Sequence, residues 1–299
     1  MHKLTETFCE VDDFCKHFIP LWEARLLADK TRKRRRKSRL SIAEIMTIII
    51  HFHQSKFRDF KTYYLGYVKR FLLSEFPNIL SYSRFIELVP SVIPPLTAFL
   101  TSLFSKPTGI SFIDSTKLSV CHVIRAKRNK VFKDIAAHGQ GSMGWFYGFK
   151  LHLIINHKGE IINAHISEGN KDDRAPLESI VPENIGKLYG DKGYLGKSCA
   201  AKLKEKGCEL ITNVRKNMKK QALPIWDKIM LRKRFLIETV NGQLKEESQI
   251  EHTRHRSVSG FMVNVLGALI SYCLSDTKPT MKLSKKDLES LKAAKNLSH

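Results

Sequence analysis

The hydrophobic period of this chain changes once along its length, and that change limits the fold. Before residue 105, apolar residues recur at helical spacing, as Phe14, Phe18 and Leu21 and again as Ile42, Ile45, Ile48, Ile49 and Phe52. Pro94-Pro95 and Lys106-Pro107-Thr108-Gly109 then punctuate the chain, and β-branched runs follow. Strands are predicted at residues 110–113, 118–124, 145–155, 161–167, 188–190 and 209–212, with His157-Lys158-Gly159 turning the third into the fourth. Helices are predicted at about 176–180, 197–206, 227–247 and 258–274. Three antiparallel strands followed by alternating strands and helices imply a mixed α/β sheet covered on both faces. At 299 residues the chain exceeds one ordinary domain. The expected division is a helical region at 1–105, a sheet domain at 106–275 and a loosely attached Lys-rich tail at 276–299.

Charge narrows the partner. Lys and Arg number 51 against 29 Asp and Glu, a formal net charge of +22, which points to a polyanion, nucleic acid first and an acidic membrane surface as the rival. The start lacks the pattern of a secretory signal, and no apolar run approaches the length of a bilayer span, so a cytoplasmic protein is expected. Six scattered cysteines, without zinc spacing, are expected as reduced thiols. Eight of the ten residues at 30–39 are basic, Lys33, Arg34, Arg35 and Arg36 among them. Such a block repels itself unless phosphates meet it, so DNA binding is favoured over a solvated linker. Ser41 and Glu44 follow as a capping box. Arg215, Lys216, Lys219 and Lys220 make a second cluster.

Three carboxylates stand in distinct settings: Asp114 after the apolar Ile110-Ser-Phe-Ile113, Asp191 between a short strand and a glycine turn, and Glu238 within a basic amphipathic helix. Phosphoryl transfer on nucleic acid uses two divalent ions about 3.5–4 Å apart. Carboxylates suit Mg²⁺, a hard cation. Spacing alone is a weak signal in a chain with 29 acids. On a helix Arg234, Glu238, Asn241 and Lys245 share one face, while Phe235, Val240 and Leu244 can face the sheet. A solvated Arg-Glu-Lys stripe is the competing reading. Asp172 and Asp173 precede Pro176 and read as helix caps; Asp134 sits in a loop. His152 and His165 read as structural histidines, and His252 and His255 as neighbours of phosphate-binding arginines. Trp226, in a loop before the helix, reads as core packing ahead of base stacking.

The surroundings of the acids resemble those of the DDE transposases of bacterial insertion sequences. Tyr189-Gly-Asp-Lys-Gly-Tyr194 encloses Asp191, and Arg234, Glu238 and Lys245 meet the family's Arg-x3-Glu-x6-Lys string. Leu231 stands where that string carries tyrosine. Gly148-Phe-Lys-Leu-His152 and Gly169-Asn-Lys-Asp-Asp-Arg174 are also similar. Among the branches, insertion sequence family 982 is the nearest likeness. The resemblance implies an RNase H-like catalytic domain with a helical DNA-binding region before it. It also implies two Mg²⁺ ions on Asp114, Asp191 and Glu238, with Mn²⁺ able to substitute. The partners would be the element's terminal inverted repeats and target DNA, bound by a homodimer in the bacterial cytoplasm. Alternatives are an RNase H-like nuclease that cuts without joining and a catalytically idle nucleic-acid-binding protein.

Overall fold

Ser41 opens the second helix in the computed structural model, which describes residues 2–29, 38–141, 144–213, 223–252 and 255–296. Its hydroxyl accepts from the Glu44 amide at 3.1 Å while its own amide donates to the Glu44 carboxylate, a reciprocal cap contributing on the order of 1 kcal/mol. The expected DNA-contacting residues Lys33, Arg34, Arg35, Arg36, Arg215 and Lys216, with Lys219, Lys220 and Arg254, lie outside the described residues.

The chain divides into two units. The first contains helices α1 (His2–Ala28), α2 (Ile42–Gln54), α3 (Phe60–Thr62), α4 (Lys69–Phe71), α5 (Tyr82–Leu88) and α6 (Ile93–Ser102), with a π-helical turn at Tyr63–Val68. Residues 244–250 and 255–275 belong to this unit and not to the sheet domain where they were expected. The reason is composition. The helix Val258–Cys273 is apolar on nearly every side, and such a helix needs partner helices around it. It packs on α2 and α6, where Gly267 lets it approach His53: a Cβ there would stand 2.8 Å from the imidazole. Tyr82–Ser102 is, by length and composition, apolar enough to cross a membrane, which corrects the expectation that no such run exists. A 3-10 turn at Val89–Val92 interrupts it, and Phe85, Val92, Leu96 and Phe99 are buried inside the unit.

The second unit is built on a six-stranded sheet: β1 (Gly109–Cys121), β2 (Ala137–Gly141), β3 (Gly144–Asn156), β4 (Ile161–Glu168), β5 (Gly186–Gly190) and β6 (Cys208–Thr212). The order is β2-β3-β1-β5-β6, with β4 also on β3; β5 runs parallel to β1 and β6, and the other pairs are antiparallel. Alternation gives the sheet two faces. Ile113 and Ile154 pack with Leu177 of α7 (Leu177–Ile180) and Leu203 of α8 (Lys197–Glu205). On the opposite face Phe112 meets Tyr189 at 5.8 Å. The Tyr189 hydroxyl donates at 2.8 Å to buried Asp227 of α9 (Ile225–Lys233), which also takes Lys187 at 2.8 Å. The result is the mixed, helix-flanked α/β sheet of an RNase H-like domain.

Several local expectations change. The first two predicted strands are one continuous β1, because β3 pairs along it from Ser111 to Cys121; residues 123–128 leave it as a 3-10 turn. The Gly-rich β2 offers no apolar alternation and escapes a pattern search. The predicted helix 227–247 breaks at Arg234 into α9 and α10 (Phe235–Glu246), and Phe235 is exposed while Val240 and Leu244 are buried. Trp226 lies in α9, half-buried, and not in a loop. Helix α11 is the Val258–Cys273 segment, and α12 (Lys285–Asn296) is docked where a loose tail was expected. Asp287 of α12 takes Lys233 at 2.7 Å and Arg232 at 3.0 Å, and the Met281 amide donates to the His157 carbonyl.

Candidate active site

The parallel ladder of β1 and β5 ends on Phe112 and Tyr189. Asp114 and Asp191 each stand two positions beyond, so strand register alone sets the two acids side by side at the carboxyl end of β5. Asp114 lies within β1 and not at its end. Asp191 leaves the sheet in a sharp turn, Lys192–Tyr194, whose first amide its carboxylate accepts at 2.7 Å. Gly190 packs closely before that turn: a Cβ there would meet the Tyr194 ring and the Ile113 side chain at 3.0 and 3.1 Å.

Helix α10 brings the third acid. Glu238 accepts from Arg234 at 2.9 Å, and the same guanidinium reaches Asp114 at 3.6 Å. One turn on, the Asn241 amide donates to the other Asp114 oxygen at 3.1 Å. Because its nitrogen must face that carboxylate, the Asn241 carbonyl oxygen points elsewhere, buried and without a hydrogen-bond partner. Burial pushes the Asp114 carboxyl up to about 6, against the pull of Arg234 and the Ser115 amide, and the charges of Glu238 and Asp191 push it the same way. The three expected acids therefore share one electrostatic neighbourhood. Arg234, expected on phosphate, holds two of them. Lys245 lies two turns beyond Glu238 along α10.

Sequence spacing did not assign Asn241 its role or reveal a fourth acid nearby. Asp173 does not cap α7, whose start at Pro176 has no side-chain cap. It takes Lys150 at 3.0 Å, and Lys150 also donates to the Lys171 carbonyl. The Asp173 carboxylate lies 3.9 Å from where a Cβ on Gly193 would sit, against the turn after Asp191. Asp172 pairs with Arg174, which holds its carboxyl down at about 2. His152 is buried, with Nε2 2.8 Å from the Ser167 hydroxyl, and burial drops it to about 4. His255 packs edge-on against Phe261.

Among the described residues no three His, Cys, Asp or Glu side chains are gathered as a ready metal cage; the Arg234 guanidinium occupies the space between Asp114 and Glu238. The donor chemistry nonetheless fits a divalent ion. Carboxylates are hard ligands, and a cation would relieve the desolvated Asp114 charge. The transposase DDE domain family model matches residues 104–258, a span holding Asp114, Asp191, Glu238, Arg234 and Lys245. No curated protein matches the chain. With that match covering half its length, and with two acids beyond a parallel ladder tied through Arg234 to a third on α10, the chain belongs to the transposase DDE domain family.

Proposed function

We propose that this transposase mobilises an insertion sequence, of the branch resembling family 982, by binding the element's terminal inverted repeats and catalysing cleavage and strand transfer in the bacterial cytoplasm. The observation that carries the reading is the register of Asp114 and Asp191 with Glu238 tied to Asp114 through Arg234. Asp114, Asp191 and Glu238 would hold two Mg²⁺ or Mn²⁺ ions, which supply charge neutralisation and an activated water when bound. Asn241 orients the Asp114 carboxylate through its second oxygen. Arg234 orients Asp114 and Glu238 and can donate to an incoming phosphate oxygen. Water attacks the phosphorus at the element end and releases a 3′-OH. That hydroxyl then attacks a target phosphodiester, and the target's own 3′-OH departs. No covalent protein intermediate is needed, so positioning and charge stabilisation carry the rate. Two element ends call for a homodimer.

A duplex ending in the repeat that flanks the coding sequence, pre-cut to expose its 3′-OH, tests this reading. With Mg²⁺ and a supercoiled plasmid, the full-length protein is expected to join the two. Cutting without joining would make it a nuclease, and binding with neither would make it an idle DNA-binding protein. Lys245→Ala is expected to weaken duplex binding and to reduce the slope of log affinity against log salt by about 1, the value for one lost phosphate contact. An unchanged slope would return Lys245 to a solvated helix stripe.

A further inference from the structure

Among the described residues of the sheet unit, the most exposed aromatic side chain lies on the β2–β3 hairpin. Trp145 is 63% exposed and pairs with Gln140 next to the Gly141–Gly144 end of that ladder. Behind the hairpin the chain from Val123 to Ile135 is clamped down: the Tyr147 hydroxyl donates to the Phe132 carbonyl, and Phe132 packs edge-on against Phe149. That clamped segment exposes Arg125, Lys127, Arg128, Lys130 and Lys133, with Asp134 as its one acid, and Ile124 beside them is 83% exposed. By strand alternation Trp145, Tyr147 and Phe149 share the sheet face of Leu153, whose cross-strand partner is Asp114.

We propose that Trp145 and the cations of residues 125–133 form a DNA-contacting surface of the catalytic unit, with an unpaired base stacked on the indole and the adjoining phosphates on the cations. An exposed aromatic on the strand that anchors a cationic segment through Tyr147 and Phe149 offers the two elements that single-stranded nucleic acid requires. A two-fold contact with a second copy would set these five cations against their own like. The proposal rests on the transposase reading, in which a cut DNA end supplies the unpaired base.

Two labelled duplexes of one arbitrary sequence, blunt or with a short 3′ overhang, are titrated with full-length protein. Wild type is expected to prefer the overhang, and Trp145→Ala to lose that preference by about tenfold, the scale of one stacked base, while blunt-duplex binding holds. Trp145→Phe is expected to keep most of it. Lys127→Ala with Arg128→Ala is expected to weaken both duplexes and to lower the salt slope by about 2. The proposal is overturned if Trp145→Ala keeps the overhang preference, weakens both duplexes alike, or changes the sedimenting species. If wild type neither cuts nor joins while Trp145→Ala still loses the preference, the transposase reading fails and this surface stands.

Discussion

Replacing Asp114, Asp191 or Glu238 one at a time by alanine is expected to abolish both end cleavage and strand transfer while duplex binding stays near wild type. Each variant removes a charge at the one place where the β1–β5 register and helix α10 bring acids together, whereas binding depends on cations elsewhere. A loss of at least about a hundredfold is the scale for one preorganised electrostatic group. Asp114 has the most to lose, because Asn241 and Arg234 are both built around it. Ca²⁺, larger and less demanding in geometry, is expected to bind yet support little chemistry. Asp173→Ala is the control that gives the assay its resolution. Its carboxylate already serves Lys150, so its loss is expected to cost less than that of Asp191. Wild-type joining of a pre-cut 3′ end by Asp191→Ala would remove Asp191 from the site and put Asp173 in its place.

What the sequence discloses here follows from range of interaction. The strands of residues 145–155 and 161–167 are legible because their apolar residues alternate or run unbroken within a few positions, and Ser41 and Glu44 identify their helix start without outside help. The pairing of Asp114 with Asp191 is not legible from spacing, since it depends on which strand lies beside β1 and in what register. The break at Arg234 is equally hidden. A continuous helix would satisfy the apolar pattern, and only the pull of two acids from different elements reveals why the guanidinium turns inward. Helix α11 shows the converse limit: its composition demands burial, but composition does not say against which helices. Trp145 passed as one more strand residue because exposure is a property of the assembled hairpin.

Mild acid is expected to open the helical unit before the sheet unit, and the histidines decide the order. Burial, with the Lys3 charge adding to it, lowers His51 from 6.5 to about 4, while its Nδ1 lies 2.8 Å from the Tyr63 hydroxyl. The folded pKa lies below the unfolded one, so the unfolded chain takes the proton first. Stability from His51 is complete above pH 6.5, is lost as pH falls toward about 4 and then levels off, a drop of about 3 kcal/mol in all. His152 imposes a loss of the same sign on the sheet unit. There, however, Asp114 opposes it. Its folded pKa of about 6 lies above the unfolded 3.8, so the folded state gains a proton first and stability rises as pH falls from 6. The two terms nearly cancel in the sheet unit between pH 6 and 4.5, and among the described residues of the helical unit nothing of comparable size offsets His51. Hydrogen exchange at pH 7 and pH 5 is expected to show the amides of α2 losing protection while those of β1 and β3 hold. His51→Gln is expected to abolish the difference, and Asp114→Asn to make the sheet acid-labile as well. Equal loss in both units of the wild-type protein would refute the compensation.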